Sequence, residues 1–569
     1  MADLHALAGI YHRYLFCHLW VCQDHGIRGL VAPHPPCPRR LCFYLSFVRR
    51  LVLCGPPAGD FGLEEVEPIS GFEHLLNGFS LALSPGVLLA CLVGVLLGTI
   101  VGVLPGLGPT ATMSLMLPFT MKYGPVTGLI MLAGIWYGAQ YGGSTTSILV
   151  NIPGEASSVI TCIDGHQMAK KGRAGAALAL VAVGSFIAGT LGNIGLQIFA
   201  PPLAQAALAF GPPEYLALMV LAFVVLSTLT SESPLKGYFM VALGLWIGTI
   251  GIDPVEGTPR FTFGSYDLMS GINFLPIAMG LFGIAEILTI AIEPYVPRLV
   301  EKIRFRDLYP NREEIKRSVA PVMRGSLLGF FVGLLPGPAP TISTFFSYGL
   351  EKKISKYPEK FGTGMVEGVV GPESANNSAV TGSLIPLLAL GIPFAPPAAV
   401  LLAGLRMHHV DPGPFLFQNA PQIFWGFIAS MYIGNVMLLI LNLPLVGMFA
   451  RIATLRSQIL MPIVSIVCLA GVYSIRNSLF DIWVMIATGV LGFFMRKWKF
   501  PVAPLVISIV LGPMTENSFR QTCMMCRGHF YQICSRPITM GLLLVTAAFV
   551  IFNIYQGKRL KKALSKEEI

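Results

Sequence analysis

The chain has 569 residues, of which 54% are hydrophobic and only 12% are charged, and its mean hydropathy is +0.68. This composition excludes an ordinary water-soluble protein and indicates a membrane protein. The net charge of +10 does not indicate a nucleic-acid partner, because the basic residues are grouped in short segments such as 170–173, 298–317 and 496–499. That distribution is typical of cytoplasmic loops between membrane spans.

Apolar stretches that match the thickness of a bilayer recur from about residue 80 to residue 556. In hydrocarbon the backbone of each stretch must bond within the membrane, which only helices and closed barrels achieve. The alternating pattern of outer-membrane strands is absent from the sequence. The sequence therefore predicts an all-α, polytopic transmembrane protein.

The first 65 residues differ in composition from the rest, since they contain five of the 11 cysteines. Their spacing lacks the paired short gaps of a zinc site, and the single CxxC at Cys523 and Cys526 has no second pair of ligands. No metal site is predicted. We interpret residues 1–65 as an extension outside the main fold, and we hypothesise that the natural protein starts at Val66, read from a GTG codon.

One segment of the chain occurs twice. GVLLGTIVGVLPGLGPT at 94–110 returns as GSLLGFFVGLLPGPAPT at 325–341, and 11 of the 17 positions are identical. This similarity indicates two homologous repeats, which we expect to be inverted, with helices broken at the Pro-Gly motifs. The predicted divisions are residues 72–293 for the first transmembrane repeat, 294–324 for a cytoplasmic connector, 325–556 for the second repeat with the C-terminal spans, and 557–569 for a basic cytoplasmic tail.

Each repeated segment is followed by a second polar interruption rich in Gly and Pro, at 141–158 and at 371–393. Interrupted hydrophobic segments at corresponding places of two halves predict the substrate site of a transporter. The alternative is that the glycines only permit close helix packing, which is the better interpretation of Gly98 and Gly102, spaced as GxxxG.

The polar residues of these interruptions are candidates for binding an anion and a cation. Helix ends inside a bilayer expose N–H groups with a partial positive charge, which favours a carboxylate. Hydroxyl and amide side chains add donors, and their oxygens suit sodium. The candidate substrate-binding residues are Ser144, Thr145, Thr146, Asn151, Ser374, Asn376, Asn377 and Thr381. The candidate ion ligands are backbone carbonyls near Gly106, Gly108 and Gly337 and the side chains of Asn151 and Asn377.

Two acids, Glu155 and Glu373, lie within the interruptions and are candidate charged site residues, because a charge there is costly unless it faces a cavity, a cation or a base. The alternatives are a loop charge at the membrane surface for Glu155 and helix N-capping for Glu373. We interpret His166 as a loop residue despite its neighbour Asp164. No clustered acid-base set or phosphate loop indicates an enzyme, and no catalytic residue is predicted.

Four blocks carry a resemblance to a known family: LPGLGPTATMSLMLPFT, YGGSTTSILVNIPGE, DGHQMAKKGRAGAAL and GVVGPESANNSAVTGSLIPLLALGIP. They resemble the large membrane subunit of the tripartite tricarboxylate transporter family, the TctA-type proteins. The similarity runs from about Phe72 to the C-terminal span, and only residues 1–65 and 522–535 differ from the family's pattern.

The resemblance implies a multi-pass protein of the bacterial inner membrane. Its implied partners are a small membrane subunit (TctB-type), a periplasmic solute-binding protein (TctC-type), the lipid bilayer and a carboxylate substrate. It also implies secondary import of citrate or a related carboxylate, driven by a cation gradient, with sodium or a proton as coupling ion and no cofactor. A passive anion channel and an intramembrane enzyme are the alternatives.

Overall fold

The computed structural model describes residues 71–104, 108–230, 233–292, 308–452, 457–527 and 529–567. The predictions for residues 1–65 and for Gly106 lie outside these ranges.

Nearly all of the described chain is helical, which confirms the all-α prediction. The helices up to residue 292 are α1 (Gly71–Ala82), α2 (Pro85–Val103), α3 (Pro109–Thr120), α4 (Pro125–Val150), α5 (Val159–Met168), α6 (Ala174–Ala207), α7 (Pro212–Leu229), α8 (Pro234–Gly248), α9 (Tyr266–Met269), α10 (Phe274–Ala278) and α11 (Ala285–Ile292). Two-residue strands, β1 (Gly251–Ile252) and β2 (Pro259–Arg260), pair antiparallel between α8 and α9.

The helices from residue 312 onward are α12 (Arg312–Gly333), α13 (Ala339–Ile354), α14 (Glu367–Leu390), α15 (Pro396–Met407), α16 (Leu416–Asn419), α17 (Pro421–Asn442), α18 (Val446–Ile452), α19 (Ser457–Arg476), α20 (Leu479–Lys497), α21 (Val502–Met525) and α22 (Pro537–Glu567). Many of them begin with proline, which has no N–H to leave unpaired and whose fixed φ suits the first turn.

Seven of the described helical segments are long and apolar enough to cross a membrane. They are Pro85–Val103, Ala156–Ala207, Pro212–Leu229, Phe274–Ile292, Pro421–Asn442, Leu479–Lys497 and Val502–Met525. Helices α4 and α14 are not among them, although every residue of α14 from Gly368 to Leu390 is buried. Protein rather than lipid therefore surrounds α14.

Glycines bring α2 and α4 into backbone contact. A Cβ atom added to Gly98 would lie 2.4 Å from the carbonyl oxygen of Ile135, and one added to Gly102 would lie 2.1 Å from that of Ala139. The close-packing interpretation of Gly98 and Gly102 is thus confirmed.

The corresponding glycines of the second segment make the same kind of contact. A Cβ atom at Gly329 of α12 would lie 2.1 Å from the carbonyl oxygen of Ala375 in α14, and one at Gly333 would lie 2.5 Å from that of Ala379. The inverted relation of the two repeats stays a prediction.

Both Pro-Gly motifs interrupt a helix, as predicted. Helix α2 ends at Val103 and α3 begins at Pro109, while α12 ends at Gly333 and α13 begins at Ala339. In the second break Gly337 has a φ of 133°, a conformation that favours glycine.

The second pair of helix breaks lies inside the predicted segments 141–158 and 371–393, but only after the polar residues 144–147 and 374–383. Helix α4 continues through its polar run to Val150, and α14 continues to Leu390. Each then ends at a left-handed residue, Asn151 with φ 58° and Gly391 with φ 72°. The polar runs are compatible with a buried helix because their hydroxyl groups find acceptors in the preceding turn, as Ser147 does by donating to the Gly143 carbonyl at 3.0 Å.

Candidate functional site

A cavity of about 480 Å³ lies where four interruptions of the helices meet. Its wall includes the first turns of α3, α13 and α15 and the segment 153–157 that follows α4. The volume is in the range of small-molecule sites, about 300–1,000 Å³. Chain segments from both copies of the repeated sequence therefore contribute to one cavity.

The three helices that begin at this cavity have no side-chain cap. Each of these helices, α3, α13 and α15, is at least 12 residues long and has at least one proline within its first two positions. Proline has no N–H, and the N–H of Ala339 donates to Gly337, so the first-turn N–H groups without a partner in the helix are those of Thr110, Ala111, Thr341 and Ala398, which lie at the positive end of each helix dipole. These three helix ends therefore contribute a positive potential that favours an anion at their part of the cavity wall.

A paired arginine also lines the cavity. Arg496, in the last turn of α20, forms an ion pair with Glu286 in the first turn of α11, and both side chains lie on the cavity wall. The sequence analysis had placed residues 496–499 in a basic loop and did not single out Glu286. An acid within an apolar stretch was the available signal for this pair.

Behind the cavity, Glu373 joins three helices. Its Oε2 atom accepts a hydrogen bond from the Ser144 hydroxyl of α4 at 2.5 Å, and its Oε1 atom accepts one from the Thr161 hydroxyl of α5. The side chain is fully buried, and the residue lies in the second turn of α14, which begins at Glu367. The N-capping interpretation of Glu373 is therefore wrong.

Glu155 lies between the cavity and Glu373. The residue lines the cavity, and its carboxyl group accepts a hydrogen bond from the Ser157 hydroxyl at 2.6 Å and interacts electrostatically with Glu373. The absence of a side chain at Gly143 leaves it room, because a Cβ atom there would lie 3.0 Å from Cγ of Glu155. Glu155 is therefore not a simple loop charge at the surface of the protein.

Asn376 is fully buried beside these two acids. Its side chain interacts with both carboxyl groups, but neither its Oδ1 nor its Nδ2 atom makes a hydrogen bond of ordinary geometry within the described residues. Buried amides in proteins are normally hydrogen-bonded. A buried amide without a hydrogen bond of ordinary geometry is a candidate position for contact with a bound water or ion.

Several candidates lie elsewhere on the two helices. The hydroxyls of Thr145 and Thr146 bond back to carbonyls of α4, and Asn151 is exposed at the end of that helix. The side chains of Ser374 and Thr381 pack against Gly184 and Gly192 of α6. Their part in binding stays a prediction.

The two described candidate carbonyls already accept hydrogen bonds. The carbonyl of Gly337 accepts one from the backbone N–H of Ala339 at 2.8 Å, and that of Gly108 accepts one from the backbone N–H of Thr112 at 3.3 Å. Their use as ion ligands also stays a prediction.

Asn377 holds α14 against α6 in this structure. Its Nδ2 atom donates to the Ser185 hydroxyl at 2.7 Å and to the carbonyl of Glu373 at 3.0 Å. We expect Asn377→Ala to destabilise the protein by about 1 to 3 kcal/mol, because Ser185 loses a buried partner. Thermal unfolding of the purified variant measures this. An unchanged melting temperature together with a weakened affinity for substrate would instead support the predicted binding role.

Gln140, Ser157 and Thr161 complete this buried region and were not among the residues predicted from the sequence. The Ser157 hydroxyl lies 3.2 Å from Oε1 of Gln140, and Gln140 lines the cavity. These residues come together only in the folded chain, so no local sequence signal distinguishes them from other polar residues of membrane helices.

Comparisons with known proteins agree with this architecture. Residues 88–507 match the model of the tripartite tricarboxylate transporter TctA family. A protein of Agrobacterium vitis described as "Uncharacterized 52.8 kDa protein in TAR-I ttuC' 3'region" is 47% identical over 489 residues, which cover 86% of this chain and 97% of that protein. Another from the same organism, "Uncharacterized protein in TAR-II ttuC' 3'region", is 40% identical over 234 residues, or 41% of this chain and 97% of that protein. No solved structure matches. The chain belongs to the tripartite tricarboxylate transporter TctA family and is a multi-pass membrane subunit of a tripartite transporter.

Proposed function

We propose that this chain is the large membrane subunit of a secondary transporter that imports citrate or a related carboxylate across the bacterial inner membrane. A periplasmic solute-binding protein of the TctC type delivers the substrate, and a small membrane subunit of the TctB type completes the complex. A cation gradient, with sodium as the coupling ion, drives the import.

The observation that supports carboxylate transport best is the convergence of three uncapped helix N-termini on one cavity. A carboxylate that leaves water needs several hydrogen-bond donors, and fixed N–H groups supply them without rearrangement. Arg496 adds a positive charge to the same wall, partly balanced by its partner Glu286. A substrate with two or three carboxylates is able to use more than one of these helix ends.

Transport assays with the whole system test this proposal. The chain and its small membrane subunit are reconstituted in vesicles, and labelled citrate is supplied with the binding protein under an inward sodium gradient. Accumulation above the external concentration that collapses with a sodium ionophore is expected. Equilibration without accumulation would favour the anion channel, and no movement of citrate or other carboxylates would refute the proposal.

Thr341 offers a mild test of the cavity. Its side chain lines the cavity near the start of α13, and its hydroxyl makes no hydrogen bond with another described residue. We expect Thr341→Val to raise the apparent KM for the carboxylate by roughly tenfold or more, because a hydrogen bond to a charged group contributes about 1.5 to 3 kcal/mol and each 1.4 kcal/mol corresponds to a factor of about ten. Uptake kinetics, normalised to the amount of protein, measure this change.

The matched control is Thr363→Val, at an exposed position of the loop between α13 and α14. It should leave the KM unchanged. A Thr341→Val variant with the same KM as the wild type would remove that hydroxyl from the substrate site.

A further inference from the structure

We propose that Glu155, Glu373 and Asn376 form a sodium-binding site directly behind the substrate cavity, and that sodium must occupy it before the carboxylate binds. The site itself follows from these three side chains, whereas the order of binding rests on the function proposed above.

The negative charges of Glu155 and Glu373 indicate that a cation binds between them. Glu373 is fully buried, Glu155 interacts with it electrostatically, and neither forms an ion pair with a basic residue of the described chain. Buried acids in membrane proteins normally pair with a base or a cation, because an isolated charge in a low-dielectric environment is costly. Two neighbouring acids without a base therefore require a cation.

The oxygen atoms available at this place favour a sodium ion over a proton. A proton neutralises one carboxyl group but joins only two oxygen atoms, whereas three side chains with free oxygen lone pairs meet here. A sodium ion between the carboxyl groups takes oxygen ligands from both and from Oδ1 of Asn376, which gives this amide oxygen the partner it lacks. Ser144 and Thr161 hold the Glu373 carboxylate in place by donating to its two oxygens.

The position of Glu155 on the cavity wall indicates that sodium binds before the carboxylate. Glu155 lies on the wall of the cavity that would receive the carboxylate, with Glu373 behind it. Without a cation, these negative charges repel an incoming anion, and the repulsion is strong where water is excluded. A bound sodium ion removes this repulsion. It also links α14 to the segment after α4 that carries Glu155. Carboxylate affinity should therefore depend on sodium.

Direct binding of ²²Na⁺ to the purified full-length chain in detergent tests the site without any transport. We expect saturable binding to the wild type, competed by unlabelled sodium chloride and not by choline chloride. Asn376→Ala and Glu373→Gln should each raise the sodium concentration for half-maximal binding by roughly tenfold or more. Asn376→Ala removes a side chain that makes no hydrogen bond of ordinary geometry, so it should fold normally, and Glu373→Gln keeps the side-chain size.

Matched controls are Glu359→Gln and Asn419→Ala, which remove the same chemical groups at exposed positions. Both should bind ²²Na⁺ as the wild type does. Folding of every variant is checked by its melting temperature, which sodium should raise in the wild type and in the controls but not in Asn376→Ala, since a ligand stabilises the state that binds it.

The outcomes distinguish this site from the proposed function. If the wild type imports carboxylate but Asn376→Ala and Glu373→Gln bind ²²Na⁺ with unchanged affinity, the site is wrong and the function stands. If the wild type binds ²²Na⁺ and both variants lose it, but no carboxylate moves, the site stands and the function is wrong. Import driven by a proton gradient, with no ²²Na⁺ binding, would overturn the site. Carboxylate affinity that is equal in sodium and in choline would overturn the order of binding.

Discussion

Replacing Gly102 by alanine is expected to prevent the protein from accumulating in the membrane. The added Cβ atom would lie 2.1 Å from the carbonyl oxygen and 2.8 Å from Cα of Ala139. Both are backbone atoms of a buried helix, so relief requires α2 and α4 to separate along their whole contact. Overpacking usually costs about 1 to 3 kcal/mol, and a backbone clash of this severity belongs at or above the upper end. Immunoblots of membranes and gel filtration of detergent extracts measure the outcome.

Gly86→Ala is the matched control for this experiment, because Gly86 lies in the same helix and a Cβ atom there meets no atom within 4 Å. Alanine is also the better helix former, so this variant should reach wild-type abundance. A Gly102→Ala protein that is as abundant and monodisperse as Gly86→Ala would show that α2 and α4 do not need their close contact.

Replacing Asp164 by alanine is expected to have a comparably large effect on stability. The fully buried Oδ1 atom of Asp164 accepts hydrogen bonds from the backbone N–H groups of Gly362, Gly364 and Met365, at 2.9, 2.7 and 2.8 Å. Its Oδ2 atom accepts one from the hydroxyl of Tyr348 at 2.9 Å. Each buried donor left unpaired costs about 1 to 3 kcal/mol, so the total loss amounts to several kcal/mol.

The consequence for the site follows from the same contacts. Asp164 lies in α5 and its hydrogen bonds hold the loop 362–365 in place. This loop leads into α14, the helix that carries Glu373 and Asn376. We expect Asp164→Ala to lower the melting temperature and the membrane abundance sharply. Asp164→Asn should retain much of both, because the amide oxygen still accepts from the backbone N–H groups. Asp267→Ala, at an exposed position, should behave as the wild type. Normal melting of Asp164→Ala would contradict a role in fastening this loop.

The sequence alone determined the parts of this structure that depend on local chemistry. A bilayer permits only certain lengths and compositions, so hydropathy was sufficient to predict a helical membrane protein. Proline and glycine restrict the backbone wherever they occur, so the repeated Pro-Gly motifs located the breaks after α2 and α12. Glycine spacing likewise predicted a close helix contact at Gly98 and Gly102, because the GxxxG pattern places both on one face of the helix.

The sequence alone did not predict where the helices that contain the polar runs end. Sequence alone suggested that residues 141–158 and 371–393 interrupt their helices, whereas α4 continues to Val150 and α14 to Leu390, so that each break occupies only the later part of its segment. Serine and threonine hydroxyls are able to donate to backbone carbonyls of their own helix and so need no partner outside it, which means that a polar composition does not by itself end a helix in a protein interior.

Only the tertiary structure decided which polar residues meet. Ser144 and Glu373 are 229 residues apart in the chain and form a hydrogen bond. The neighbours Asn376 and Asn377 point about 100° apart on their helix, so one lies beside the two acids and the other holds Ser185 of α6. A surface helix reveals its buried face through the periodicity of its apolar residues. Helix α14 is buried on all sides, so its sequence carries no such periodicity, and only its packing against α4, α6 and α12 determines what each side chain contacts.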